Sequence, residues 1–126
     1  MLCDVVWCVV LLEQSCSAFA PICHPSAAPW GVKAFSGYLG AYRGAWSQYD
    51  ATELVKAGHK FPSGILVDQG TADKFLADQL KPELLVSACK AAGQEVYLQM
   101  RDGYDHGYFF IQSFISQHLT WHAKLL

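Results

Sequence analysis

Ile65, Leu66 and Val67 form an unbroken apolar triplet that runs straight into Asp68-Gln69-Gly70. Such a triplet suits a strand buried on both faces, as in a parallel sheet, although a run this short is ambiguous alone. The following residues narrow the choice. "PELLVSACKAAG" (82–93) reads as a helix, with Pro82 in the first turn, Glu83 at the positive end, Lys90 at the negative end and Gly93 as the stop. "EVYLQM" (95–100) then alternates Val96, Leu98 and Met100 against Tyr97 and Gln99, which is strand-like. Strand, helix, strand is the unit of a parallel sheet.

The flanks extend the alternation. "SCSAFAPI" (15–22) reads as a short apolar strand stopped by Pro21, and residues 23–46, rich in Pro, Gly and aromatics, as an irregular excursion with short helices. "YDATELVKAG" (49–58) is a predicted helix that Asp50 or Thr52 can cap and Gly58 can end. From Gly107 onward Phe110, Phe114, Trp121 and Leu125 form an apolar stripe at helical spacing. The whole order predicts an α/β fold, in which chemistry gathers at the carboxyl ends of the strands.

Composition fits a folded body rather than a nucleic-acid or membrane protein. Hydrophobic residues make up 52% and charged residues 16% of the 126, with a net charge of -2 and no basic patch. A chain this apolar is expected to sit inside a larger folded body. The run Val5–Leu12 is shorter than the roughly 20 residues that span a bilayer, and it lacks the positive start of a signal peptide. Cys3, Cys8, Cys16, Cys23 and Cys89 are odd in number and include no C-x-x-C pair, so they are expected to be reduced thiols. A zinc site built from the first four would need wide, irregular spacings.

Two loops are expected at strand ends: "DQGTAD" (68–73), with Asp68 and Asp73, and "RDGYDH" (101–106), with His106. In adjacent parallel strands they lie side by side. A carboxylate in one can then accept a hydrogen bond from the imidazole in the other, fixing its tautomer and stabilising its protonated form. The pattern leaves Asp68 and Asp73 both open as that partner. Asp105, next to His106 in the chain, is a poorer candidate and reads as loop-structuring. Chain order Asp then His is the second half of the Ser, Asp, His order of α/β hydrolases. His118 and His122, four apart on the last helix, suggest no third metal ligand and read as two exposed histidines. His24 and His59 have no partner that the sequence indicates. Trp30, Phe35, Tyr38 and Trp46 could line a pocket, but packing is the commoner role.

Longer motifs carry a resemblance. "SAFAPICHP", "PWGVKAFSGYLG", "YDATELV", "ILVDQGTADKFLADQLKPELL" and "GYDHGYFFIQSFISQHLTWHA" closely resemble the S-formylglutathione hydrolase (esterase D) family, from near Ser15 almost to the end. The resemblance implies an α/β-hydrolase fold and a serine thioesterase and carboxylesterase that hydrolyses S-formylglutathione to glutathione and formate in formaldehyde detoxification. It implies no cofactor, no metal, a cytoplasmic location and a homodimer. It assigns the triad acid to Asp73, the second acidic position of D-Q-G-x-x-D, with Asp68 structural, and the base to His106 in Y-D-H.

The family's nucleophile lies in a G-x-S-x-G elbow, which this sequence lacks. Residues 1–14 do not resemble the family. The expectation is a carboxyl-terminal part of the hydrolase domain (15–126) behind a non-family segment (1–14), inactive alone. Its strand at 16–20 would be an apolar edge prone to aggregation. The alternative is a non-catalytic short form that acts, if at all, by association with a full-length subunit.

Overall fold

The computed structural model of the chain describes residues 15–125. Readings that fall on residues 1–14, among them the signal peptide and two of the four cysteines of the zinc site, Cys3 and Cys8, lie outside the described residues. Three strands, β1 (Cys16–Phe19), β2 (Ile65–Gly70) and β3 (Val96–Arg101), form a parallel sheet in the order β1-β2-β3. Ile65 pairs with Cys16 on one side and Val96 on the other. All six residues of β2 are buried, as the apolar triplet predicts for a central strand, and β3 is only half-buried.

Helices cover both faces. Between β1 and β2 lie a 3-10 turn (Pro25–Ala27), helix α1 (Pro29–Leu39), a second 3-10 segment (Arg43–Tyr49) and helix α2 (Ala51–Lys56). Helix α3 (Pro82–Ala92) crosses from β2 to β3, and α4 (Tyr108–Ala123) follows β3. On one face, Val55 of α2 and Leu85, Ala88 and Cys89 of α3 pack against Ile65 and Val67. At the carboxyl end of the sheet, Phe110 of α4 packs with Ala20 and Leu80. Among the described residues no helix is long and apolar enough to cross a membrane.

Local chemistry sets the element ends. Pro82 opens α3, and Gly93 closes it at φ 67°, a left-handed conformation that glycine adopts at little cost. Asp50 caps α2 by accepting the Glu53 N–H at 3.2 Å. It also receives the Ser26 N–H at 2.9 Å and the His24 ring at 2.8 Å. Burial opposes its ionisation, but the donors at Ser26, His24 and Glu53 together hold its carboxyl below the usual carboxylate range. His24 therefore does have partners, Asp50 and, at 3.6 Å, Glu53. They are distant in sequence, and the fold alone brings them together. A π-helical turn at Leu76–Leu80, ending on a left-handed Lys81, was not legible as a separate element.

Candidate active site

The site lies where β2 and β3 end. The strand β2 runs on through Asp68 to Gly70, so Asp68 is a strand residue rather than a loop residue. Its side chain points to the α4 face, where the Arg101 guanidinium donates to it at 2.9 and 3.4 Å. Arg101 also donates to Gln117 at 2.6 Å and lies 4.1 Å from the centre of the Phe114 ring. Asp68 thus ties β2, β3 and α4 together.

The loops beyond the strands are bound to each other. The N–H groups of Thr71 and Ala72 donate to the carbonyls of Arg101 and Tyr104 at 2.9 and 3.0 Å. The Thr71 hydroxyl donates to Asp102 at 3.1 Å and accepts from the Gly103 N–H at 2.9 Å. This close approach needs Gly70: a Cβ there would stand 2.2 Å from the Tyr104 carbonyl oxygen. Gly70→Ala is therefore expected to destabilise the chain by about 1–3 kcal/mol, as overpacking does. It should also separate the two loops; a lowered urea midpoint with a displaced His106 resonance checks both.

The side chains at the ends of these loops meet. His106 Nδ1 lies 2.7 Å from Asp73 Oδ2, with the Asp73 side chain fully buried and the His106 side chain 29% exposed. The Asp73 carboxylate also accepts the Phe75 N–H on Oδ1 at 2.8 Å and a Gln69 Nε2 hydrogen on Oδ2 at 3.1 Å. With three donors aimed at it, it is set up as an acceptor, so the imidazole carries its proton on Nδ1. In the neutral ring Nε2 then keeps its lone pair and has, among the described residues, no hydrogen-bond partner. The Phe75 ring stands edge-on to the imidazole at 5.3 Å, and Trp30 packs on Phe75 at 4.6 Å. Trp30 is thus the one of the four sequence-named aromatics that reaches this site. Phe35 and Trp46 pack on each other instead, and Tyr38 is exposed. Asp105 is exposed beside the site, and His59 is exposed outside it.

The two histidines of α4 depart from expectation. His118 is 3% exposed, stacked on Phe19 at 3.8 Å. His122 is half-buried, held by the hydroxyls of Ser15 and Ser17 at 2.6 and 2.7 Å, and pins α4 to β1. The signal was present: His118 falls on the helical stripe of Phe110, Phe114, Trp121 and Leu125, where a side chain turns inward. Burial pushes the His118 imidazole below the usual histidine value; His122 and Arg101 act in the same direction, against the pull of Asp68 at 3.8 Å. Folded, it resists a proton that the unfolded chain takes up at about pH 6.5. Below that pH the unfolded state binds more protons, so stability falls with falling pH until His118 protonates in the folded state too. His118→Gln should flatten that slope, measured as urea midpoints between pH 5 and 7.

Neither buried thiol offers a substitute nucleophile. Burial, aided by Glu83, Cys89 and Asp50, pushes the Cys23 thiol up to about 12, and burial also raises Cys89. Among the described residues no cluster of His, Cys, Asp and Glu could hold a metal ion.

A parallel sheet flanked by helices, with an Asp and a His on adjacent strand-end loops, is an α/β frame of the hydrolase kind. The chain belongs to the Esterase family, whose sequence model matches residues 14–125. Its similarity is to S-formylglutathione hydrolases. It is 48% identical over 113 residues to that of Paracoccus denitrificans and 48% identical over 114 residues to that of Rattus norvegicus. Each match covers 90% of this chain and 40% of the relative. A solved S-formylglutathione hydrolase from Agrobacterium tumefaciens superposes with a TM-score of 0.86 at 50% identity, over 90% of this chain and 40% of that one. The chain thus spans about 40% of the length of the relatives it matches.

Proposed function

We propose that these residues supply the acid and the base of a serine hydrolase that cleaves S-formylglutathione to glutathione and formate, and simple carboxylic esters besides. The observation that carries this is the 2.7 Å contact of His106 Nδ1 with the buried Asp73, which in the neutral ring keeps the Nε2 lone pair available to a hydroxyl. In this reading His106 Nε2 takes the proton of a seryl hydroxyl as its oxygen attacks the thioester carbonyl. The imidazolium then gives that proton to the departing glutathione sulfur. Water, activated by the same nitrogen, releases formate from the acyl-enzyme. Asp73 remains ionised throughout, holding the tautomer and stabilising the imidazolium.

The 126 residues contain no Gly-x-Ser-x-Gly frame. We place the serine in the part of a complete hydrolase that they do not span. By themselves they are expected to lack the nucleophile and its oxyanion donors, and so to be inactive. The reading extends to a homodimer in the cytoplasm serving formaldehyde detoxification; the buried thiols of Cys23 and Cys89 fit a reducing compartment. The test is a chimera in which residues 15–125 replace the matching part of the Rattus norvegicus enzyme. Thioesterase activity that depends on Asp73 and His106 supports the reading, and a folded chimera whose activity ignores both residues overturns it.

A further inference from the structure

Gln69 is fully buried in the central strand, yet it is polar, and its neighbours account for only half of its side-chain hydrogen-bonding capacity, the two N–H donors. Its Nε2 hydrogens go to the Gly70 carbonyl and to Asp73 Oδ2, both at 3.1 Å. Its Oε1 has no partner among the described residues. The opposite orientation of the amide would set Oε1 against that carbonyl and that carboxylate, an encounter of acceptors only, so the neighbours dictate which end faces Asp73. A side chain needed only to fill space would be apolar here, because a buried acceptor without a donor is unfavourable. The useful end of Gln69 is its NH2.

That NH2 shares one oxygen with the candidate base. Asp73 Oδ1 is held by the Phe75 N–H, and Oδ2 takes both Gln69 Nε2 and His106 Nδ1. The Phe75 contact alone leaves the carboxylate free to pivot about one anchored oxygen. The Gln69 contact anchors the second, which fixes the carboxylate plane before the imidazole arrives. We propose that Gln69 is a positioning residue: it orients the Asp73 carboxylate so that His106 is held as the Nδ1–H tautomer. Gln69 itself touches no reacting atom. The proposal rests on reading Asp73 and His106 as the acid–base pair.

Ring 15N shifts of His106 in the 15N-labelled 126-residue chain report its tautomer ratio. Gln69→Met, which keeps the length and removes the donors, should lower the Nδ1–H to Nε2–H ratio at least threefold, with the ring signals of His24 unchanged. Gln69→Glu, protonated in its buried setting and donating one O–H to Oδ2, should restore the ratio. An unchanged ratio in a folded Gln69→Met chain overturns the proposal. A further measurement needs no substitution at 69. The Gln69 side-chain amide protons of the unsubstituted chain should exchange slowly, and they should shift when Asp73→Asn removes the charge. Fast exchange, or no shift, overturns the proposal as well. Asp73→Asn also distinguishes a failed Asp73–His106 pairing from a failed role of Gln69. If it leaves the His106 ratio unchanged, the Asp73–His106 pairing itself fails. If it collapses the ratio while Gln69→Met does not, the pairing stands and only the role of Gln69 falls.

Discussion

His106→Ala in the chimera with the Rattus norvegicus enzyme is expected to lower kcat for S-formylglutathione by about a million-fold, the scale found when a serine hydrolase loses its general base. Asp73→Asn should cost about ten-thousand-fold, because an amide supports the wrong tautomer yet leaves the ring in place. The order follows from the geometry. In the proposed mechanism the proton moves on His106 Nε2, and Asp73 acts only through Nδ1, 2.7 Å away. Steady-state hydrolysis, with circular dichroism to confirm folding, measures both. Losses below tenfold for either variant would sink the assignment. The 126-residue chain alone should show background hydrolysis that His106→Ala leaves unchanged; activity lost in the variant would show that a nucleophile is present after all.

The second large effect is on stability. Asp68→Ala should destabilise the chain by about 3–5 kcal/mol, because it strands a partly buried charge whose partner is gone. Arg101 is only 20% exposed, and Asp68 is its one carboxylate contact within 4 Å among the described residues. Without Asp68 it keeps the Gln117 oxygen and the Phe114 ring, neither of which offsets a full charge. Urea unfolding of the two chains gives the number directly, and a loss under 1 kcal/mol would mean that water reaches the guanidinium freely. Replacing both partners with apolar residues of similar size, Asp68→Leu with Arg101→Met, should recover most of the loss. Desolvating the two charges costs about as much as their attraction returns.

The frame was legible in sequence because its signals are local. Pro82 and Gly93 bracket α3, the triplet at Ile65–Val67 has the apolar continuity of a central strand, and Val96, Leu98 and Met100 alternate. The site was legible only in part. Pattern placed an Asp and His106 on neighbouring strand ends but left Asp68 and Asp73 both open, since either could sit in a loop. The resemblance chose Asp73, and the structure puts Asp73 on His106 and Asp68 on Arg101. The boundary was the difficulty: β2 continues to Gly70, which points Asp68 off the sheet toward α4 while Asp73 reaches past the strand's end. Gln69 was missed because nothing in its own neighbourhood marks a buried amide as a donor. The His24–Asp50 contact joins residues whose link exists only in three dimensions.

The contrast between a wholly buried β2 and a half-buried β3 bears on motion. Amide protons of a central strand exchange with solvent only when the whole sheet opens, whereas those of a half-covered edge exchange through smaller, cheaper openings. Asp73 is three residues beyond the protected strand, and His106 hangs from the less protected one. Asp73 is therefore expected to follow the better-protected strand, and His106 the less protected one. The hydrogen bonds from Thr71 and Ala72 to Arg101 and Tyr104 then carry the protection of β2 across to the loop that holds His106.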